Sequence, residues 1–176
     1  MRILIIGAAG MIGRKLSERL AQDGAIGGKR IEALMLYDIV RAAPPAGAAM
    51  PVAVETGDLP APGEAQRLLA ARPDIVFHLA AIVSGQAEQD FDLGYRINLD
   101  GTRAVLEAAR AAGHCPRVIF ASSLAAFGAP LPDPIGDDYL VAPLTSYGTQ
   151  KAIGELLISD YTRKGFVDGL ALRLPT

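Results

Sequence analysis

Arg2–Gly13 reads RILIIGAAGMIG, an apolar run of strand length that breaks into Gly7-Ala8-Ala9-Gly10-Met11-Ile12-Gly13. From Met11 onward the apolar residues recur at helical spacing, at Met11, Ile12, Leu16 and Leu20, as far as Gly24. A strand that stops on glycine and restarts at once as a helix needs three glycines for three reasons. The first makes a tight turn, the second lets the backbone approach a pyrophosphate, and the third lets helix and strand pack closely. The helix start then offers unpaired N–H groups and the positive end of its dipole to the phosphates.

Working outward, short apolar runs alternate with helical patterns. Further strands read at Ala33–Ile39, Val52–Glu55, Asp74–Ala80, Arg117–Ser122 and Leu170–Leu174, and helical stretches at Gly63–Ala71, Glu88–Ala112 and Ser146–Lys164. Strands apolar on both faces and separated by helices imply a parallel sheet covered on both sides. The expected class is α/β: a doubly wound (Rossmann) parallel sheet of about six strands with helices on both faces. One domain over residues 1–176 accounts for this pattern. Arg41–Pro51 and Ala129–Pro143, rich in Ala and Pro, read as loops. The chain ends as its last strand ends, so the expectation is a truncated piece, inactive alone, with its C-terminal substrate lobe missing.

Bulk properties narrow the partners. A net charge of −2, a pI of 5.7 and no strongly basic stretch argue against a nucleic-acid phosphate backbone. No apolar run approaches the roughly 18 residues of a membrane span, and glycines break the apolar start too early for a signal peptide. The single cysteine, Cys115, excludes an internal disulfide framework and has no second thiol for a metal site. No metal and a cytoplasmic location are expected.

Candidate site residues gather at strand ends. Asp38 ends the second strand, where a carboxylate accepts from both adenosine ribose hydroxyls and repels a 2′-phosphate, favouring NAD over NADP; Arg41 nearby weighs the other way. Asp58, in Gly57-Asp58-Leu59, either accepts from the adenine amino group or caps a turn. Ala80 and Ala81 end the fourth strand with small side chains that leave room for the pyrophosphate and nicotinamide ribose. His78 before them reads as a hydrogen-bonded core histidine. Asn98 reaches an active-site water or a main-chain group, while Gly101 after it permits close packing.

Tyr147 and Lys151 stand four apart at a helix start, on one helix face. An ammonium one turn away favours the phenolate and is expected to lower the tyrosine pKa, making it a base for a substrate alcohol. Ser122 and Ser123 end the fifth strand on the same side of the sheet, where either hydroxyl could bind the same substrate oxygen.

Together, GAAGMIG, Asp38, GDL, HLAA, Asn98 with Gly101-Thr102, Ser122-Ser123 and Tyr147 through Lys151 resemble the extended short-chain dehydrogenase/reductase superfamily, the group of nucleotide-sugar epimerases and dehydratases. The resemblance covers essentially the whole chain. It implies Ser123, Tyr147 and Lys151 as catalytic serine, base and lysine, with Ser123 and Tyr147 also holding the substrate hydroxyl. It implies NAD as cofactor, held by Gly7, Gly10, Met11, Ile12, Gly13, Asp38, Asp58, Leu59, Ala80, Ala81, Asn98, Tyr147 and Lys151. A homodimer is an expectation by similarity alone. Within the group, Ala81–Gly85, Asp92–Arg96 and Leu144–Lys151 are most similar to the branch that oxidises the C2 hydroxyl of a four-carbon sugar acid with NAD. Phe127-Gly128 in place of Tyr-Gly, and no Ser-x-x-x-Pro after Ala81, depart from the nucleotide-sugar pattern. The alternatives are a nucleotide-sugar 4-epimerase or dehydratase with tightly bound NAD, and a non-catalytic NAD(P)-sensing module, which has no use for a Tyr–Lys base.

Overall fold

The computed structural model describes residues 1–175. The domain expected from the sequence runs through Thr176, which lies outside them. In chain order the elements are β1 (Arg2–Ile6), α1 (Met11–Asp23), a small hairpin of β2 (Ala25–Ile26) and β3 (Lys29–Arg30), β4 (Ala33–Asp38), β5 (Val52–Thr56), α2 (Glu64–Ala70), β6 (Ile75–His78), α3 (Ser84–Gln89), α4 (Phe91–Gly94), a π-helical stretch Tyr95–Asp100, α5 (Gly101–Ala112), β7 (Arg117–Ser123), a 3₁₀ turn Leu124–Ala126, α6 (Ser146–Arg163) and β8 (Asp168–Leu174).

Six strands form one sheet in the order β5-β4-β1-β6-β7-β8, every neighbouring pair parallel. The chain winds outward from β1 through β4 to β5, then returns to build the other half from β6. Strand order therefore reverses between β1 and β6, and a crevice opens at their carboxyl ends. The alternation of β1 shows why both faces are covered. Leu4 and Ile6 join one core with α2, α5 and α6, while Ile3 and Ile5 join a second with α1. Each such fully buried aliphatic side chain contributes about 1.5–3 kcal/mol.

The glycine turn divides its labour as read. Gly7 has φ +90°, and a Cβ there would stand 2.6 Å from the Ala80 nitrogen. Gly13 packs its α-carbon face against the Gly7 carbonyl with no room for a methyl. Gly10 is different. Its conformation is extended, and a Cβ would meet only the Gly7 oxygen, at 3.4 Å, so a side chain there would occupy the crevice instead.

One expectation needs correction and one element is new. The single helix expected over Glu88–Ala112 is broken: Asp90 takes φ −128°, ψ 89° and caps the next turn by accepting from Leu93 N at 3.0 Å. The π-helical stretch then shifts the register before α5 begins. The hairpin β2–β3 was not anticipated, although Gly27 and Gly28, at φ +55° and +75°, are suited to a two-residue turn. Smaller shifts are that β7 extends through Ser123 and β8 starts at Asp168. No described helix is long and apolar enough to cross a membrane.

Candidate active site

Two cavities, of about 480 and 290 Å³, meet over the glycine turn and share Gly7, Gly10, Leu79 and Ala81. The larger runs toward β4 and β5 and is also lined by Asp38, Asp58, Leu59 and Ala80. The smaller runs toward β7 and α6 and takes in Met11, Ile12, Gly13, Ser123, Tyr147 and Lys151. Of the site residues read from the sequence, only Asn98 lines neither.

The turn is made rigid from beneath. The Gly7 and Ala8 amides both donate to the Tyr37 carbonyl, at 2.9 and 3.1 Å. The Ala9 amide donates to Asp38 Oδ2 at 2.8 Å, and the Ile39 amide to Oδ1 at 2.7 Å, so the carboxylate is held at the rim of the cavity by two backbone groups. Helix α1 starts without a side-chain cap and without an acidic residue in its first turn. The amides of Met11, Ile12 and Gly13 thus face the cavity without an intrahelical partner, in the field of the helix N-terminus. Unpaired amides, a glycine whose missing side chain leaves the crevice open, and a fixed carboxylate beyond them fit a dinucleotide pyrophosphate and its ribose.

Asp58 lies at the far end of the larger cavity, with its carboxylate ion-paired to the Arg96 guanidinium on the π-helical stretch. Leu59 beside it is buried.

At the other end, the sheet and α6 bring the chemical groups together. Thr145 caps α6 by accepting from Gly148 N at 3.0 Å. Gly148 packs directly on the Ala125 carbonyl, so the first turn of α6 sits against the turn that follows Ser123. That contact brings Tyr147 to Ser123. The Ser123 Oγ accepts from Ala125 N at 3.1 Å, and Ser123 and Tyr147 both line the smaller cavity. Ser122, one residue earlier on a strand, faces the opposite way and donates to Glu155, whose carboxylate is ion-paired with Arg173 at 2.8 Å. Burial works to raise the Glu155 carboxyl, but the Arg173 and Ser122 hydrogen bonds outweigh it and hold its pKa below the ordinary value.

Lys151 is 3 % exposed; its Nζ donates to the Ala121 carbonyl at 2.7 Å and lies 5.6 Å from the Tyr147 ring centre. Burial lowers its pKa to about 8. The expectation that this ammonium lowers the Tyr147 pKa needs correction for the protein alone. Burial raises the Tyr147 pKa, and the opposing pull comes from the Ser123 hydroxyl. The ammonium is turned to the Ala121 carbonyl rather than to the phenol.

His78 is the core histidine that the sequence suggests. It is buried, and its Nε2 lies 2.9 Å from Thr102 Oγ1. Because the Thr102 hydroxyl spends its proton on the Asn98 carbonyl, His78 Nε2 must carry the ring N–H. Burial first, and the Lys151 charge second, push its pKa down to about 3, so it stays neutral.

Asn98 is 2 % exposed and stands behind the cavity wall. It serves the second of its two sequence readings, bonding a main-chain segment: its side chain accepts from Ile82 N and donates to Ile82 O. Gln150 was missed by sequence reasoning. It is fully buried and accepts from the same Asn98 amide. Its position between Tyr147 and Lys151 was the only signal available.

Residues 3–176 match the NAD dependent epimerase/dehydratase family, and the chain belongs to it. Its cofactor is therefore NAD, as the glycine turn and Asp38 lead one to expect. Among curated relatives, the chain is 51 % identical over 180 residues to D-erythronate dehydrogenase of Cupriavidus necator, covering 100 % of this chain and 55 % of that protein. Thus the chain spans about half the length of the curated relative it matches. Its fold superposes with TM-score 0.96 and 60 % identity on the crystal structure of a nucleoside-diphosphate-sugar epimerase from Agrobacterium tumefaciens, covering 100 % of this chain and 53 % of that one. It also matches UDP-glucose 4-epimerase from Brucella ovis in complex with NAD, with TM-score 0.81 and 30 % identity, covering 98 % and 51 %.

Proposed function

We propose that this chain is the nucleotide-binding half of an NAD-dependent dehydrogenase that oxidises the C2 hydroxyl of D-erythronate to the 2-oxo acid. The observation that carries the reading is the convergence of Ser123, Tyr147 and Lys151 on a cavity that continues over the glycine turn. Similarity to D-erythronate dehydrogenase over the full chain supports the substrate.

NAD, when bound, supplies the hydride acceptor for such an oxidation. The chain's own groups do the rest. The Met11, Ile12 and Gly13 amides hold the pyrophosphate, Asp38 accepts from the adenosine ribose hydroxyls, and Ala80 and Ala81 leave space for the backbone of the dinucleotide. Lys151 donates to the nicotinamide ribose. Ser123 Oγ fixes the substrate hydroxyl, and Tyr147 Oη removes its proton as the C2 hydrogen leaves with its electron pair. A lone Cys115 and use of NAD go with a cytoplasmic location.

Incubation of the full-length protein that contains this chain with D-erythronate and NAD tests this reading, with a net, stoichiometric rise in NADH expected. A second reading, nucleotide-sugar epimerisation, is favoured by the name of the 60 % identical structure. An epimerase returns its hydride to the sugar, so interconversion of a UDP-hexose without net NADH would replace the first reading.

Asp38 sets the choice of dinucleotide. Asp38→Asn keeps one oxygen for the Ala9 amide but removes the charge that repels a 2′-phosphate. The ratio of kcat/KM for NAD over NADP is expected to fall by about tenfold to a hundredfold. An unchanged ratio would assign the discrimination to another residue.

A further inference from the structure

Gln150 Oε1 accepts a hydrogen bond of 2.7 Å from Asn98 Nδ2. The same Asn98 side chain accepts from Ile82 N at 2.9 Å and donates to Ile82 O at 3.1 Å. Ile82 lines the larger cavity next to Ala81, and Val83 lines the smaller one. Three bonds thus join the helix that carries Tyr147 and Lys151 to the segment that walls the dinucleotide crevice, and both amide side chains are buried.

The orientations are forced. The Ile82 N–H is a donor, so Asn98 must offer it Oδ1 and turn Nδ2 toward Gln150. Gln150 must answer with Oε1, which leaves its Nε2 buried against Gly94 with no hydrogen-bond partner among the described residues. A buried donor without a partner costs stability; a methionine of similar length would fill the same space and remove that donor, leaving one Asn98 Nδ2 hydrogen without its acceptor in its place. A side chain that satisfies Asn98 while leaving its own donor unpaired is placed for alignment rather than for stability.

We propose that Gln150 is a positioning residue: through Asn98 it locks the Ile82 wall of the dinucleotide crevice to the catalytic helix, so that bound NAD and the Tyr147–Lys151 pair share one rigid frame. The proposal rests on the dehydrogenase reading for its catalytic consequence, but the mechanical link is measurable without turnover.

The test uses the full-length protein with Gln150→Met and, independently, Gly94→Ala. The second variant leaves both amides in place but puts a methyl 2.7 Å from Gln150 Nε2, on a backbone already helical at φ −55°, and so pushes the side chain off Asn98. Amide hydrogen exchange without NAD is expected to quicken about tenfold at Ile82 in both variants, with other core segments unchanged. The melting temperature of Gln150→Met is expected to stay close to that of the parent, because one unpaired buried donor replaces another. NAD affinity is expected to fall only a few-fold, whereas kcat falls about tenfold. Unchanged exchange at Ile82 in both variants would overturn the proposal. So would a lowered melting temperature in Gln150→Met with faster exchange throughout, which would make Gln150 an ordinary core residue. If Ile82 exchange quickens as expected but the parent oxidises no sugar acid, the substrate reading fails and the link stands.

Discussion

Tyr147→Phe is expected to reduce kcat for the sugar acid by about a thousandfold while leaving NAD affinity within a few-fold of the parent. The phenylalanine ring keeps the packing of the half-buried side chain and removes only the oxygen that takes the proton. Among the described residues, nothing else at that end of the cavity replaces it. Lys151 is a donor turned to Ala121 O, Ser123 Oγ is held by Ala125 N, and His78 stays neutral and protonated at Nε2 toward Thr102. Because burial raises the Tyr147 pKa and the Ser123 hydroxyl opposes that shift, Ser123→Ala should move the pH–rate profile in a defined direction. The limb that reports loss of the phenol proton moves to higher pH, read from kcat/KM against pH. Loss of NAD binding together with turnover in Tyr147→Phe would assign the residue to the cofactor rather than to proton transfer.

Lys151→Met should abolish turnover and yet stabilise the protein at neutral pH. The ordinary lysine pKa of 10.5 is lowered to about 8 by burial. The fold therefore binds fewer protons than the unfolded chain between those values. A group with a depressed folded pKa contributes stability that is fully present above its unfolded pKa and is lost as pH falls through the folded one. At pH 7 the buried ammonium therefore costs about 3 kcal/mol. Methionine removes that cost but leaves the Ala121 carbonyl without its donor, a loss of about 1–2 kcal/mol. The net expectation is a gain of about 1–2 kcal/mol at pH 7 in urea unfolding of the NAD-free protein. The difference should shrink as pH rises from 8 toward 10.5, because the parent sheds its penalty there. A variant less stable than the parent at pH 7 would show that the ammonium is better compensated than burial implies.

How far the sequence reads depends on the kind of contact involved. The glycine turn is legible because strand, turn and helix each leave a local signature, and the three glycines meet three distinct steric demands within seven residues. Tyr147 and Lys151 are legible for the same reason, since a spacing of four on a helix is a local statement. Ser122 and Ser123 are not separable from spacing, because adjacent strand residues face opposite sides and both sides of β7 are buried. The resemblance implies Ser123; in the fold, Ser122 donates to Glu155 while Ser123 caps the turn that follows the strand. The broken helix was hidden because the Asp90 cap and the π-helical register shift interrupt an amphipathic pattern without Pro. Gln150 could not be found from spacing, since its partner, Asn98, is on another helix and its role depends on which amide atom Ile82 demands.

In the proposed oxidation, hydride would leave C2 of the sugar acid for the nicotinamide of NAD bound at the Gly7 turn. D-Erythronate carrying deuterium at C2, incubated with the full-length protein and NAD, measures this directly by mass spectrometry of the recovered dinucleotide. The label is expected on the reduced nicotinamide, in amount equal to the 2-oxo acid formed. Deuterium retained in the sugar acid, or released to water with no labelled dinucleotide, would contradict it.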